Sequence, residues 1–210
     1  TLKEAKKNKK SVRILNANNS EIKKLPGFVY KLESIQILYA NNNQMSEVSS
    51  DIADLFKLSE IDFSFNQLSS LPKEFIDIKY LEKLNLSNNQ FDTLPDEITG
   101  LTFLNTLDIS NNNIVKFKPL KTNLLTTLNL SDNSLTSIPD LKDYKQLLVL
   151  HLSGNNFGSI PRKLPIPKNV EELYLANNNL THLPEELSAF AHLKILDLSG
   201  NDFSRVEMER

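Results

Sequence analysis

Apolar and polar residues follow a fixed pattern along this chain, and the pattern recurs about every 23 residues. In segment 81–95, LEKLNLSNNQFDTLP, apolar residues stand at positions 1, 4, 6, 11 and 14 counted from Leu81. The same five positions are apolar in nine successive units, and the steps between units are 23 residues except for one of 21 and one of 22. The units begin at residues 12, 35, 58, 81, 104, 125, 147, 170 and 193. A period of this length predicts a solenoid of stacked units.

The spacing of positions 4 and 6 predicts a short strand in each unit, because alternate residues of a strand face the same side. A strand of about three residues cannot bury that side alone, so we expect the units to stack into one parallel sheet with a continuous core. Positions 3, 5, 7 and 8 are then expected to lie on the opposite, concave face of the sheet.

Asparagine occupies position 9 in every unit except the first, which has Ser20. A side-chain amide offers both donors and an acceptor. We therefore predict a ladder in which each amide bonds to the backbone of its own turn and of the next unit. Its members are Asn43, Asn66, Asn89, Asn112, Asn133, Asn155, Asn178 and Asn201.

The pattern resembles the leucine-rich repeat family, whose motif is L-x-x-L-x-L-x-x-N-x-L-x-x-L-P, over residues 12–206. The resemblance implies an α/β repeat solenoid, a horseshoe with a parallel sheet on its concave side and helical or extended returns on its convex side. It also implies a protein-binding module. Proline follows position 14 in six units, and this 23-residue Leu-Pro form is similar to intracellular signalling repeats. The prolines are Pro26, Pro72, Pro95, Pro139, Pro161 and Pro184.

The return segments are expected to differ between units. Proline followed by acidic residues favours a helix in KEFIDIKY (73–80) and EELSAFAH (185–192). Three prolines in PRKLPIPKN (161–169) favour an extended path, and the short unit that begins at residue 104 predicts a tighter, non-helical return. We interpret residues 1–11 as a basic N-terminal segment or cap, and residues 12–210 as the repeat domain. Because the last unit ends early at Arg210, we expect the native chain to continue at one end or both.

The composition narrows the function further. The formal charge of −2 argues against a nucleic-acid partner, and no apolar run reaches the eighteen residues of a membrane span, so we expect no membrane insertion. The absence of cysteine favours a reducing, cytoplasmic location. No catalytic motif is visible. The neighbouring units have no second metal ligand at the repeat position that His151 occupies. We therefore expect no catalytic residue, metal or cofactor.

Departures from the usual residues on the concave face mark candidate partner contacts, in two patches roughly 24 Å apart. Exposed aromatic residues beside aliphatic ones are typical of binding hot spots. For Phe65 two interpretations stay open, since its ring either points to a partner or packs into its own turn. The candidates are Ile37, Tyr39, Phe65, Val149, His151, Tyr174 and Ile195.

Three functional hypotheses remain. The first is an intracellular scaffold or regulatory module, and the resemblance to Ras-pathway scaffolds, Scribble-type polarity proteins, Roco kinases and PP2C-type phosphatases implies a small GTPase, kinase or phosphatase as partner. The second is a regulatory or targeting domain of a larger signalling enzyme. The third is an extracellular recognition protein, for which N-x-S/T sequons exist at Asn18, Asn85, Asn129 and Asn179. A protein phosphatase 1 regulator, with its 22-residue repeat, resembles the chain less well.

Overall fold

A computed structural model describes residues 2–160, 163–183 and 185–203. Nine three-residue strands form one parallel sheet in chain order, with each strand paired in register to the next. The predicted repeat solenoid is confirmed. The strands are β1 Ile14–Asn16, β2 Ile37–Tyr39, β3 Glu60–Asp62, β4 Lys83–Asn85, β5 Thr106–Asp108, β6 Thr127–Asn129, β7 Val149–His151, β8 Glu172–Tyr174 and β9 Ile195–Asp197.

One continuous core runs behind the sheet. The central residue of each strand from β1 to β8 is buried, while the residues on either side of it are half-buried or exposed. Leu84 and Leu107, for example, are opposite each other in register and fully buried. The apolar positions 1, 6, 11 and 14 fill the rest of this core, so each unit covers the apolar surface of its neighbour.

The return segments are shorter and tighter than predicted. The segments 73–80 and 185–192 contain 3₁₀ helices, and the α-helix in the return at Asp96–Thr99 is a single turn. Pro72 precedes the first helical residue in an extended conformation, and its carbonyl accepts the amide of Phe75 at 2.9 Å. The helix type follows from the limited length of each return. The 3₁₀ helices are Val29–Lys31, Ser50–Asp54, Lys73–Asp77 and Glu185–Ala189, and α2 is Asp96–Thr99.

Three returns contain no helix in the described residues, and the sequence predicts two of them. Residues 115–124, and residues 163–170 in the described part of the proline-rich return, are irregular chain with bends and turns. Residues 139–146, between these two returns, also form turns without a helix. Two of the prolines noted above, Pro161 and Pro184, lie outside the described residues.

The N-terminal segment forms a short helix, α1 (Leu2–Lys7). Ala5 is buried and Leu2 packs against the core, while the lysines of the helix point to solvent. The helix therefore covers the core beside β1.

The position-9 asparagines bond to the backbone as a ladder, but in the opposite direction to the one predicted. In Asn89, Nδ2 donates to Leu86 and Ser87 of its own turn and to Phe63 of the preceding unit, and Oδ1 accepts the amide of Leu68 at 2.9 Å. The prediction that the amide reaches the next unit is wrong. The turn brings position 9 back over the preceding unit, where the amide of Leu68 bonds to Asn89 and the carbonyl of Phe63 accepts from both Asn66 and Asn89.

The ladder should contribute measurably to stability. Asn89→Ala leaves the buried amide of Leu68 without a partner and removes one of the two hydrogen bonds to each of the carbonyls of Phe63, Leu86 and Ser87. We therefore expect a loss of about 1–3 kcal/mol in the free energy of unfolding. Urea unfolding of the two proteins measures it. Gln90→Ala, one residue along and exposed, is the control and should change stability by under about 0.5 kcal/mol. Equal effects of the two substitutions would contradict the assigned role of the amide.

Candidate functional site

The concave face is built by the residues that flank each buried strand centre. Positions 3 and 5 are half-buried in most strands, so their side chains line a continuous surface across nine strands. Parallel pairing in register places equivalent residues of successive units side by side. The predicted contact residues on the strands lie in these two positions, Phe65 lies in the turn after β3, and the paired strands arrange the residues in two groups.

The first group lies on β1 to β3 and in the turn after β3. Ile14 pairs with Ile37, and Tyr39 lies opposite Asp62. The hydroxyl of Tyr39 donates to Glu60 Oε1 at 2.8 Å, which holds the ring over the neighbouring strand. This hydrogen bond, with burial and the charges of Glu60 and Asp62, raises the pKa of Tyr39.

Phe65 has an unusual backbone conformation. Position 8 has a positive φ in every unit, and the other eight units place Asn, Asp or Gly there, the residues that tolerate this region best. Phe65 adopts φ 52° and keeps 52% of its surface exposed. The interpretation that its ring packs into its own turn is therefore wrong. An aromatic residue here carries a conformational cost without burying its ring in the core.

The second group lies on β7 to β9. The rings of His151 and Tyr174 stack with centroids 4.3 Å apart and planes 10° apart. The hydroxyl of Tyr174 donates to Glu172 Oε2 at 2.9 Å, and Ile195 lies exposed beside Glu172. Val149 is half-buried in the same row of the sheet.

Burial favours the neutral form of the His151 imidazole. Burial lowers the pKa of its imidazole below the ordinary value of about 6.5, while the charges of Asp108 and Glu172 act in the opposite direction. The described residues contain no cluster of three possible metal ligands.

Sequence reasoning missed a third apolar group, on the rim where the chain enters β4 and β5. Tyr80 and Phe103 are 58% and 45% exposed with ring centroids 5.5 Å apart, and Ile76 lies next to them. Gly100 leaves room for Ile76, because a methyl group there would overlap its side chain. The available signal was an aromatic residue at the last position of two consecutive units.

The repeats of this chain match those of a known protein family. A model described as leucine rich repeat matches residues 56–114 and 145–203, more than half of the chain, and a second leucine-rich-repeat model matches residues 124–142. The chain belongs to the leucine-rich repeat family. A curated relative, the flightless-1 homolog of Caenorhabditis elegans, is 33% identical over 92 residues, 42% of this chain. The matched segment spans only 7% of the length of that relative.

Solved structures share the fold. YopM from Yersinia pestis matches with a TM-score of 0.78 at 24% identity, over 96% of this chain and 52% of that one. TLR13 in its complex with ssRNA13 matches with a TM-score of 0.78 at 27% identity, over 97% of this chain and 30% of that one. PEPR1 in its complex with AtPEP1 gives 0.68 at 28% identity, over 86% of this chain and 27% of that one. Fold and family are those of an interaction module. Among the described residues, no helix is long and apolar enough to cross a membrane.

Replacing Phe65 by the residue usual at this position should stabilise the protein. We expect Phe65→Asn to raise the free energy of unfolding by about 0.5–1 kcal/mol, because asparagine adopts a positive φ at lower cost. Calorimetry should show a melting temperature higher by about 1–4 °C. The reverse change in the next unit, Asn88→Phe at φ 54°, should lower it. A lower melting temperature for Phe65→Asn would show that the ring stabilises the free protein.

The imidazole of His151 should titrate below the ordinary range. NMR titration of its ring protons is expected to give a midpoint below about 6.5. Since the unfolded chain then binds the proton more tightly, His151 should lower stability as pH falls below about 6.5 and leave it unchanged above that pH. His151→Asn, which places the residue of the neighbouring strand here, should remove this part of the acid sensitivity. A midpoint above 6.5 would mean that the two carboxylates outweigh burial.

Proposed function

We propose that this chain is a non-catalytic module that binds a partner protein on its concave face, as a scaffold or regulatory part in cytoplasmic signalling. Phe65 is the observation that carries the proposal. Its exposed ring occupies a strained position where the other units have Asn, Asp or Gly. Strain retained without burial in the core points to a contact outside the chain.

The geometry suits a preformed site. The face is made of paired strands rather than loops, and Tyr39 and Tyr174 are each held by a hydrogen bond to a carboxylate. Binding to such a surface orders few side chains, so little of the interaction energy is lost to entropy. The two groups of contact residues lie on one continuous sheet, which allows one globular partner to touch both.

The position of two sequons on the concave face supports an intracellular location. Asn85 and Asn129 lie half-buried on the concave face, and their Oδ1 atoms accept the amides of Ser87 and Ser131. A glycan would be attached to Nδ2 of these asparagines, so it would project into the proposed binding surface and obstruct it, and at Asn129 it would crowd the Nδ2 contact with Asp108 Oδ2. The absence of cysteine agrees with the same location.

A second candidate is a regulatory or targeting domain of a larger signalling protein, such as a kinase, a PP2C-type phosphatase or a GTPase-linked protein. The long flightless-1 relative supports it, since the matched repeats there are a small part of a much longer chain. Both candidates use the same surface, and a small GTPase, kinase or phosphatase remains the proposed class of partner.

The concave face should be needed for partner capture. We expect Tyr39→Asn/Phe65→Asn to lose specific proteins from a cytosolic pull-down, while both substitutions keep residues that other units carry at these positions. Mass spectrometry and quantitative blotting measure the captured proteins. The control Tyr80→Asn/Phe103→Asn removes two exposed aromatic residues from the rim. Partners lost only with the control would place the site on the rim and contradict the proposal.

A further inference from the structure

Negative charge is concentrated on the concave face. Positions 3, 5, 7 and 8 of the nine units all fall within the described ranges, and they hold six carboxylates against one lysine. The whole chain has a formal charge of only −2, so the rest of its surface is net positive. The lysine is Lys83, and the carboxylates are Glu60, Asp62, Asp108, Asp132, Glu172 and Asp197.

Most of this charge is oriented but not neutralised. Lys83 Nζ lies 3.8 Å from Glu60 Oε2, and at this distance an exposed lysine only weakly compensates the charge of the half-buried carboxylate. The carboxylates of Asp62 and Asp108 accept hydrogen bonds from the neutral side chains of Ser64 and Ser110. These bonds fix where the negative charge points without removing it.

Each tyrosine of the face is half-buried and lies beside two of the carboxylates. Tyr39 donates to Glu60 and lies opposite Asp62, whereas Tyr174 donates to Glu172 and lies opposite Asp197. An aromatic ring beside carboxylates suits a lysine or arginine side chain, because the cation contacts the ring while its N–H groups reach the oxygens.

Aliphatic residues complete both arrangements. Ile37 shares β2 with Tyr39, and Ile195 lies next to Glu172 in the sheet. The methylene stems of lysine and arginine pack on such apolar surface while their charged ends remain with the carboxylates. Phosphate groups, by contrast, would be repelled by this face.

We propose that the concave face binds a basic polypeptide segment, whose lysine or arginine side chains contact Tyr39 with Glu60 and Tyr174 with Glu172. The proposal rests on the concave-face function proposed above and gives the chemistry of the partner. Six strand steps separate β2 from β8, roughly 29 Å along the sheet at about 4.8 Å per step. An extended segment of about nine residues spans both places.

A labelled peptide of twelve arginines is the probe, and fluorescence anisotropy at low salt gives its Kd for the full 210-residue chain. Glu60→Gln/Glu172→Gln keeps an acceptor for each tyrosine hydroxyl and removes two charges. We expect binding to weaken about 5- to 30-fold. The matched control Glu33→Gln/Asp77→Asn removes two exposed charges outside the concave face and should change Kd by less than about twofold.

Three outcomes overturn the proposal: no binding of the arginine peptide to the wild-type chain, equal weakening in both variants, or tighter binding of a twelve-thymidine single strand. Together with the pull-down, this experiment distinguishes a failure of the basic-segment proposal from a failure of the concave-face function. Where captured partners need Tyr39 and Phe65 but bind Glu60→Gln/Glu172→Gln as tightly as wild type, the basic segment is excluded and the concave-face function stands. Where capture is independent of Tyr39 and Phe65, the function itself fails.

Discussion

The hydrogen bonds of the position-9 asparagines are the constraint on which the rest of the structure depends. Each unit must leave a three-residue strand through a turn that lies inside the stack, where backbone groups have no water to bond. One side chain satisfies this turn and also reaches the preceding unit, as Asn66 does by accepting the amide of Met45 and donating to the carbonyl of Ala40. The same bonds therefore shape each coil and set its register against its neighbour.

The binding surface follows from this constraint. Register fixed at every turn aligns the strands, and aligned strands place Tyr39 opposite Asp62 and His151 opposite Tyr174. None of these residues needs a loop to hold it in place. A face built in this way can vary its side chains from unit to unit without altering the backbone, which explains how polar, aromatic and acidic residues share one regular sheet.

Much of this organisation is readable from the sequence, because the five apolar positions and the asparagine column report directly on strand, core and turn. The period alone could not give the direction of the ladder, because the repeat spacing is the same toward the preceding unit and toward the next one. It also gave no reason for Asn, Asp or Gly at position 8 until the positive φ showed one, and that φ is what distinguishes Phe65. The negative charge of the concave face could have been predicted from the sequence by summing the charges at positions 3, 5, 7 and 8 over all units. The net charge of the whole chain does not show it.

The exposed aromatic pair on the rim was not predicted from the sequence. Tyr80 and Phe103 lie in the return segments, where side chains vary between units and the five-position apolar pattern does not include them. Their proximity arises only because consecutive units stack, which brings residues 23 positions apart in the chain within ring contact.

Amide hydrogen exchange of the free protein tests the central claim most directly. The backbone N–H groups of Leu68, Phe91 and Leu135 donate to ladder side chains rather than to another backbone group. If the ladder holds the turns and the face is preformed, these amides should exchange as slowly as those at the strand centres, near the rate of global unfolding. Exchange as fast as in exposed loops would show that the turns open independently of the sheet, and would contradict the account.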